Sequence, residues 1–152
     1  MKDFQMPRVL LAMAASSVCF VSAIAQTDLL PSTVLMREQS QALYRDLNTM
    51  AKGEAPYDKA KAEAALAKLK DTSSRIVAAF PESSKGKTSP NGRYSASPKV
   101  WDNKDDFAMR AANMAKAVNG AKAGTLDELK SSYPAMNDAC NACHETFRQR
   151  KS

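Results

Sequence analysis

Two cysteines and a histidine near the C-terminus, in the run Cys140-Asn141-Ala142-Cys143-His144, have the types and spacing to do chemistry. C-x-x-C-H is the spacing of covalent haem attachment. Two thiols add across the porphyrin vinyl groups, and the adjacent imidazole faces the iron. His144 is the sole histidine in 152 residues, so no other imidazole can serve a metal. Two further chemistries use a C-x-x-C pair. A thioredoxin-like redox pair needs a βαβ pattern around it, and the sequence has none. A structural zinc site wants four Cys or His ligands; beyond residue 25 the chain offers three, two of them adjacent. The expectation is one covalent haem c, anchored by Cys140 and Cys143, with His144 as proximal axial ligand.

The elements that must position this motif are helical throughout. In residues 29–51 a stripe of Thr33, Met36, Ser40, Leu43, Leu47 and Met50 recurs in steps of three and four, and Lys52-Gly53 follows as a stop. A second stripe, Leu66, Leu69, Ser73, Ile76 and Phe80, predicts a helix over 57–80 on an alanine-rich background. The third runs from Val100 through Phe107, Ala111, Met114 and Val118 to Ala121, opened by Ser97 as N-cap and Pro98 at the first helical position. The fourth is Leu126, Leu129, Tyr133, Met136, Cys140, Cys143 and Phe147. Thr125-Leu126-Asp127-Glu128 before it has the form of a capping box, and Pro134 should bend or shorten its first part. No strand-like alternation appears. A polar segment from Pro81 to Ser97 separates helices two and three, and loops of that length are often functional or mobile. Four such helices, with two short connections and one long one, predict an all-α antiparallel four-helix bundle.

Cys140, Cys143 and His144 then lie at i, i+3 and i+4 on one face of the fourth helix, which is also its apolar face. The haem is expected to enter the bundle interior there, with the second imidazole nitrogen facing outward and Arg148 one turn further on. A neutral imidazole is needed to donate to iron. The opposite axial position is open to a methionine, a lysine, water or nothing. Met36, Met50, Met109, Met114 and Met136 are the methionines beyond the N-terminal region. Met36 and Met114 both lie on apolar stripes, so spacing does not choose between them, but the small Thr33 and Ser40 near Met36 leave room for a porphyrin.

The first 25 residues read as an export signal and not as fold. Lys2 and Arg8 precede a 16-residue apolar run from Val9 to Ile24, and Ala23-Ile24-Ala25 is a small-x-small cleavage site. That run is shorter than the ~20 residues that span a bilayer, which argues against a membrane anchor. Cys19 follows Val18 and not a small residue, against lipid attachment. Residues 26–152 then form one domain of 127 residues, periplasmic after cleavage, with no membrane span. Its two cysteines are both in the motif. In an oxidising compartment they would pair with each other unless haem claims them. Cleavage removes two basic residues and one acidic one, so the formal charge falls from +6 to +5. Two ionised propionates would bring it to about +3. The basic residues are spread over all four helices. Steering toward an acidic partner is one reading, a mixed solvated surface the plainer one, and no nucleic-acid patch is present.

The chain resembles the class II c-type cytochromes, the cytochrome c′ family, over all of residues 26–152. The likeness is carried by Cys140-Asn141-Ala142-Cys143-His144-Glu145-Thr146-Phe147-Arg148, by Lys52-Gly53-Glu54-Ala55-Pro56-Tyr57-Asp58 and by Ser97-Pro98-Lys99-Val100-Trp101. It implies that a residue of helix one near position 36 covers the distal haem face. High-spin members have a non-coordinating side chain there and the low-spin branch a methionine; Leu35-Met36 looks like the low-spin branch. The resemblance thus implies Met36 as distal axial ligand. It also implies dimers through the exposed faces of helices one and two. Where many members have an arginine one turn before the distal residue, this chain has Ser32.

The functional expectation is a periplasmic monohaem electron carrier with His/Met ligation that serves redox partner proteins. His/Met ligation raises the potential of the iron. The alternative is a five-coordinate, high-spin protein that binds or senses small gases such as NO or CO. An enzyme is the weaker reading, because peroxidase-like chemistry wants a distal acid–base residue and there is no second histidine. A haem-free thiol oxidoreductase ranks last.

Overall fold

The computed structural model describes residues 29–90 and 92–151. The expected signal peptide, its cleavage site and Cys19 lie outside the described residues. Helix α1 covers residues 31–51 and is built from three runs: α-helical Pro31–Ser40, π-helical Gln41–Leu47 and α-helical Asn48–Ala51. Pro31 sits at its first position, where a missing N–H costs nothing. It stops at Gly53, whose φ of 76° is the left-handed conformation that a side chain disfavours and glycine allows. The Gly53 N–H bonds the Met50 carbonyl at 3.1 Å, and Glu54 N–H bonds that of Thr49 at 2.8 Å.

The π turn changes which residues α1 buries. From Leu43 onward the expected stripe holds: Leu43, Leu47 and Met50 are all buried. Before the turn the buried residues are Ser32, Leu35 and Gln39, one position ahead of the expected Thr33, Met36 and Ser40. A π turn uses more residues per turn than an α turn, so a phase carried backwards from Leu43 at 3.6 residues per turn arrives one residue late.

Helix α2, Lys59–Ser74, is capped by Asp58, whose side chain accepts from Lys61 N at 3.0 Å. It ends before the expected residue 80. Thr72, Ser73 and Ser74 in succession turn their hydroxyls back onto carbonyls of the last turn, the local competition that loosens a helix. A short 3₁₀ turn, Val77–Ala79, carries the chain on. The third helical stripe is also interrupted. A single turn, Lys99–Asp102, is followed by a break at Asn103 (φ −125°, ψ 57°), and α3 then runs from Lys104 to Gly120. Helix α4, Leu126–Phe147, begins with the expected capping box. Thr125 Oγ1 accepts from Glu128 N, and Glu128 Oε2 accepts from Thr125 N, both at 3.2 Å. Pro134 does not end it.

These helices pack as an all-α, antiparallel four-helix bundle in which α2 and α4 each lie against α3. Phe80, Phe107 and Phe147 stack edge to face at 5.1 Å and join the exit of α2, the start of α3 and the end of α4. Each such pair contributes ~1 kcal/mol beyond its burial. Trp101 donates from Nε1 to the Pro81 carbonyl at 3.1 Å, fastening the long connection to the bundle. That connection contains an unexpected strand. β1, Tyr94–Ala96, pairs antiparallel with β2, Arg148–Arg150, beyond the last helix, with Tyr94 opposite Arg150 and Ala96 opposite Arg148. Three-residue strands are too short to show a period of two in sequence.

Candidate functional site

The expected attachment residues come together on the inner face of the last two turns of α4. Cys140 is buried, and Cys143 and His144 are half-buried. Burial pushes the Cys140 thiol up to about 12, with the Cys143 charge adding to it. Cys143 is raised too, chiefly by burial, while the neighbouring Arg110 works against the shift. Burial pulls His144 down to about 4, helped by the positive charge of Arg148. The imidazole is therefore neutral near pH 7, in the form whose lone pair can bind a metal. Two protonated thiols and one neutral imidazole on a single helical face are the groups haem c uses, the thiols for its vinyl groups and the imidazole for its iron. Among the described residues no three His, Cys, Asp or Glu side chains gather to hold a metal ion, so the motif lacks the further ligands of a closed zinc site.

Neighbouring elements hold the motif in place. Arg110 on α3 donates from Nη1 to the carbonyl of Ala142, inside the motif, at 2.8 Å, and its Nε lies 3.3 Å from Asp106 Oδ1. Cys140 Sγ lies 3.5 Å from Met114 Sδ on α3. At the end of α4, Ser97 N–H bonds the Phe147 carbonyl at 2.9 Å, and the β1–β2 ribbon follows at once. Beside His144 a cleft of about 360 Å³ opens to solvent, lined also by Tyr94, Asn141, Glu145, Arg148 and Arg150. Arg148 thus lines the same cleft as His144 and stacks over the Tyr94 ring at 4.4 Å.

Met36 is not part of this cluster. It belongs to the N-terminal half of α1, whose main neighbours are α2 and the 3₁₀ turn after it; contacts between α1 and α4 concentrate in the second half of α1. Because Leu35 takes the buried position, Met36 sits half-buried at the edge of the core. Tyr44 of α1 and Tyr133, Ala139 and Cys143 of α4 are likewise partly buried against the core. Burial raises both phenols, Tyr133 to about 12, and each also senses the charge of Cys140. Arg110 and Tyr44 have no place in the sequence expectations, and Tyr133 appears there only as a position of the fourth apolar stripe. Arg110 has one legible signal, the i,i+4 pairing with Asp106; nothing local in the sequence points to the Ala142 carbonyl.

Residues 35–148 match the cytochrome c′ family. The chain is 37% identical over 141 residues to cytochrome c-556 of Rhodopseudomonas palustris, covering 91% of this chain and 95% of that protein. It is 40% identical over 116 residues to cytochrome c-555 of Bradyrhizobium diazoefficiens, covering 75% and 77%. A structure of oxidized R. palustris cytochrome c556 superimposes with a TM-score of 0.69 at 37% identity, over 84% of this chain and all of the other. Fold, motif and relatives agree: this chain belongs to the cytochrome c′ family of class II c-type cytochromes. It is a monohaem c-type cytochrome whose cofactor is covalent haem c.

Proposed function

We propose that this protein is a periplasmic electron carrier, not an enzyme, in which Cys140 and Cys143 hold the haem by thioether bonds and His144 and Met36 are the axial ligands. The bound haem supplies a one-electron iron couple. The side chains around it set how that couple behaves. His144 is kept neutral by burial and by Arg148, so its lone pair remains available to the metal. A thioether on the other side favours the reduced iron and raises the potential. The buried surroundings of Cys140 keep water from that edge of the site.

The observation that carries the methionine assignment is an inventory of sulfurs among the described residues. Met50 Sδ accepts from Asp58 N at 3.4 Å, at the far end of α1. Met114 Sδ is against Cys140 Sγ. Met109 is 55% exposed, and Met136 is on α4, the helix that already supplies the histidine. Met36 alone is half-buried, on a different helix from His144 and in the half of α1 with few contacts to α4.

Oxidised and reduced absorption spectra test this reading. A low-spin spectrum with scarcely any carbon monoxide uptake is expected, turning high-spin with ready uptake in Met36→Leu. A high-spin spectrum in the unaltered protein would favour the gas-binding alternative, and an unchanged spectrum in the variant would name another ligand, Met114 first. Recovery of the chain from the periplasm, beginning at Gln26, tests the export signal.

A further inference from the structure

The basic residues are spread over the helices in sequence, but folding gathers some of them beside His144. The β1–β2 register puts Arg150 opposite Tyr94 and Arg148 opposite Ala96. Side chains alternate along a strand and cross-strand partners share a face, so Tyr94, Arg148 and Arg150 project from the same side of the ribbon. All three line the cleft that opens on His144. Arg148 and Arg150 are exposed, and Tyr94 is 49% exposed. Lys151 and Arg93 flank the ribbon and add charge. Among the described residues, none of these four cations lies within ion-pair distance of a carboxylate. Elsewhere Lys61, Arg75, Lys85 and Lys104 each have an acidic partner, while among the described residues other cations, Lys68 and Lys70 of α2 included, have none.

The kind of cation matters as much as the number. The two charges over the cleft are guanidiniums, weakly hydrated planar forks that match carboxylates two bonds at a time. Stacking on Tyr94 fixes one of them in place. Arginine and tyrosine are also the residues enriched where proteins dock. A membrane surface would ask for a broad apolar face beneath the cations, and the ribbon offers Tyr94 alone.

We propose that this ribbon face is the docking surface for the acidic face of a protein redox partner, seated over the cleft on the His144 side. The assignment rests on the electron-carrier reading, and its test separates the two. Poly-L-glutamate, titrated into the reduced, haem-loaded protein at low salt, should shift backbone amide signals at 93–95, 141, 145 and 148–151, and salt should reverse the shifts. Arg148→Glu/Arg150→Glu should abolish them, whereas Lys68→Glu/Lys70→Glu on α2, with the same change in net charge, should leave them. The rate of oxidation by hexacyanoferrate(III) should fall about tenfold in the ribbon pair, within the range of electrostatic steering, and less than twofold in the α2 pair. If the glutamate pair does not fold, Arg148→Gln/Arg150→Gln carries the same test. Shifts centred on α2, equal slowing in both pairs, or ribbon-dependent sedimentation with phosphatidylglycerol vesicles without a polyglutamate response would each overturn the proposal. An unaltered protein that exchanges no electrons with hexacyanoferrate(III) would instead end the electron-carrier reading, whatever the amide shifts show.

Discussion

The two sides of the proposed haem site are built with unequal redundancy. On the His144 side the backbone is held from several directions: Arg110 grips the Ala142 carbonyl, Phe147 is buried in an aromatic chain, and the ribbon closes on the last turn. On the Met36 side the first half of α1 packs on α2 and the 3₁₀ turn after it, and one serine ties its start. Buried Ser89 accepts from the Leu30 N–H at 3.0 Å and shares a 2.7 Å hydrogen bond with Thr33 Oγ1, one turn before Met36. The Ser89 carbonyl in turn accepts from Lys151 Nζ at 2.6 Å, so the start of α1 is tied through one residue to the tail beyond α4. The proposed anchoring half is thus held from more directions than the proposed distal half.

The largest expected effect breaks the redundant side at its covalent bonds. Cys140→Ala/Cys143→Ala should remove haem attachment altogether, read as an intact mass equal to the bare polypeptide. Met36→Leu comes next: the haem stays attached, and the spectrum goes from low- to high-spin. The contrast between these two variants is the sharpest form of the comparison, since one loses the cofactor and the other only its sixth ligand.

Smaller changes ask whether the supports divide in the same way. Arg110→Ala removes a charged hydrogen bond to the motif, worth ~1.5–3 kcal/mol in general. Its side chain is 32% exposed, so the loss should lie near the low end, about 1–1.5 kcal/mol. For a domain of this size that lowers Tm by about 3–6 °C. The low-spin spectrum should be unchanged, because the ribbon and Phe147 still fix α4. Ser89→Ala removes two neutral, part-buried hydrogen bonds, about 0.5 kcal/mol or somewhat more each at the low end of the usual range. Here the spectrum is the sensitive readout: a high-spin fraction and faster carbon monoxide uptake are expected, partly rescued by Ser89→Thr. If Arg110→Ala changed the spin state and Ser89→Ala did not, the proposed division of roles would be reversed.

Legibility in the sequence followed the same line. The C-x-x-C-H spacing, the Thr125–Glu128 capping box and the Gly53 stop are local signals, set by residues within a turn of each other, and each appears where expected. The core phase of α1 before Gln41 was not legible, because it depends on a π turn that a fixed 3.6-residue period cannot express. The end of α2 was missed because three hydroxyls in a row act on its backbone, and a hydrophobic stripe is blind to them. The ribbon and the Ser89 junction join residues some 50 to 60 positions apart, through backbone atoms and a lysine that carry no pattern of their own.

The smallest effect concerns two phenols, Tyr44 on α1 and Tyr133 on α4. Tyr133 is raised to about 12 by burial first, then by the charges of Tyr44 and Cys140. Burial leads for Tyr44 as well. The fold therefore prefers the neutral phenol. This contribution to stability is whole below the ordinary tyrosine value of 10 and is lost as pH rises toward 12, so the protein should weaken in alkali over that window and not at neutral pH. Carbon-13 NMR of tyrosine-labelled protein should show Tyr133 ionising well after an ordinary exposed tyrosine, with that late step absent in Tyr133→Phe. In the haem-loaded protein the Cys140 sulfur is a thioether and bears no charge, so only burial and Tyr44 act on Tyr133. A Tyr133 that titrated near 10 would mean that this phenol is open to water in the haem-loaded protein, with burial no longer acting on it.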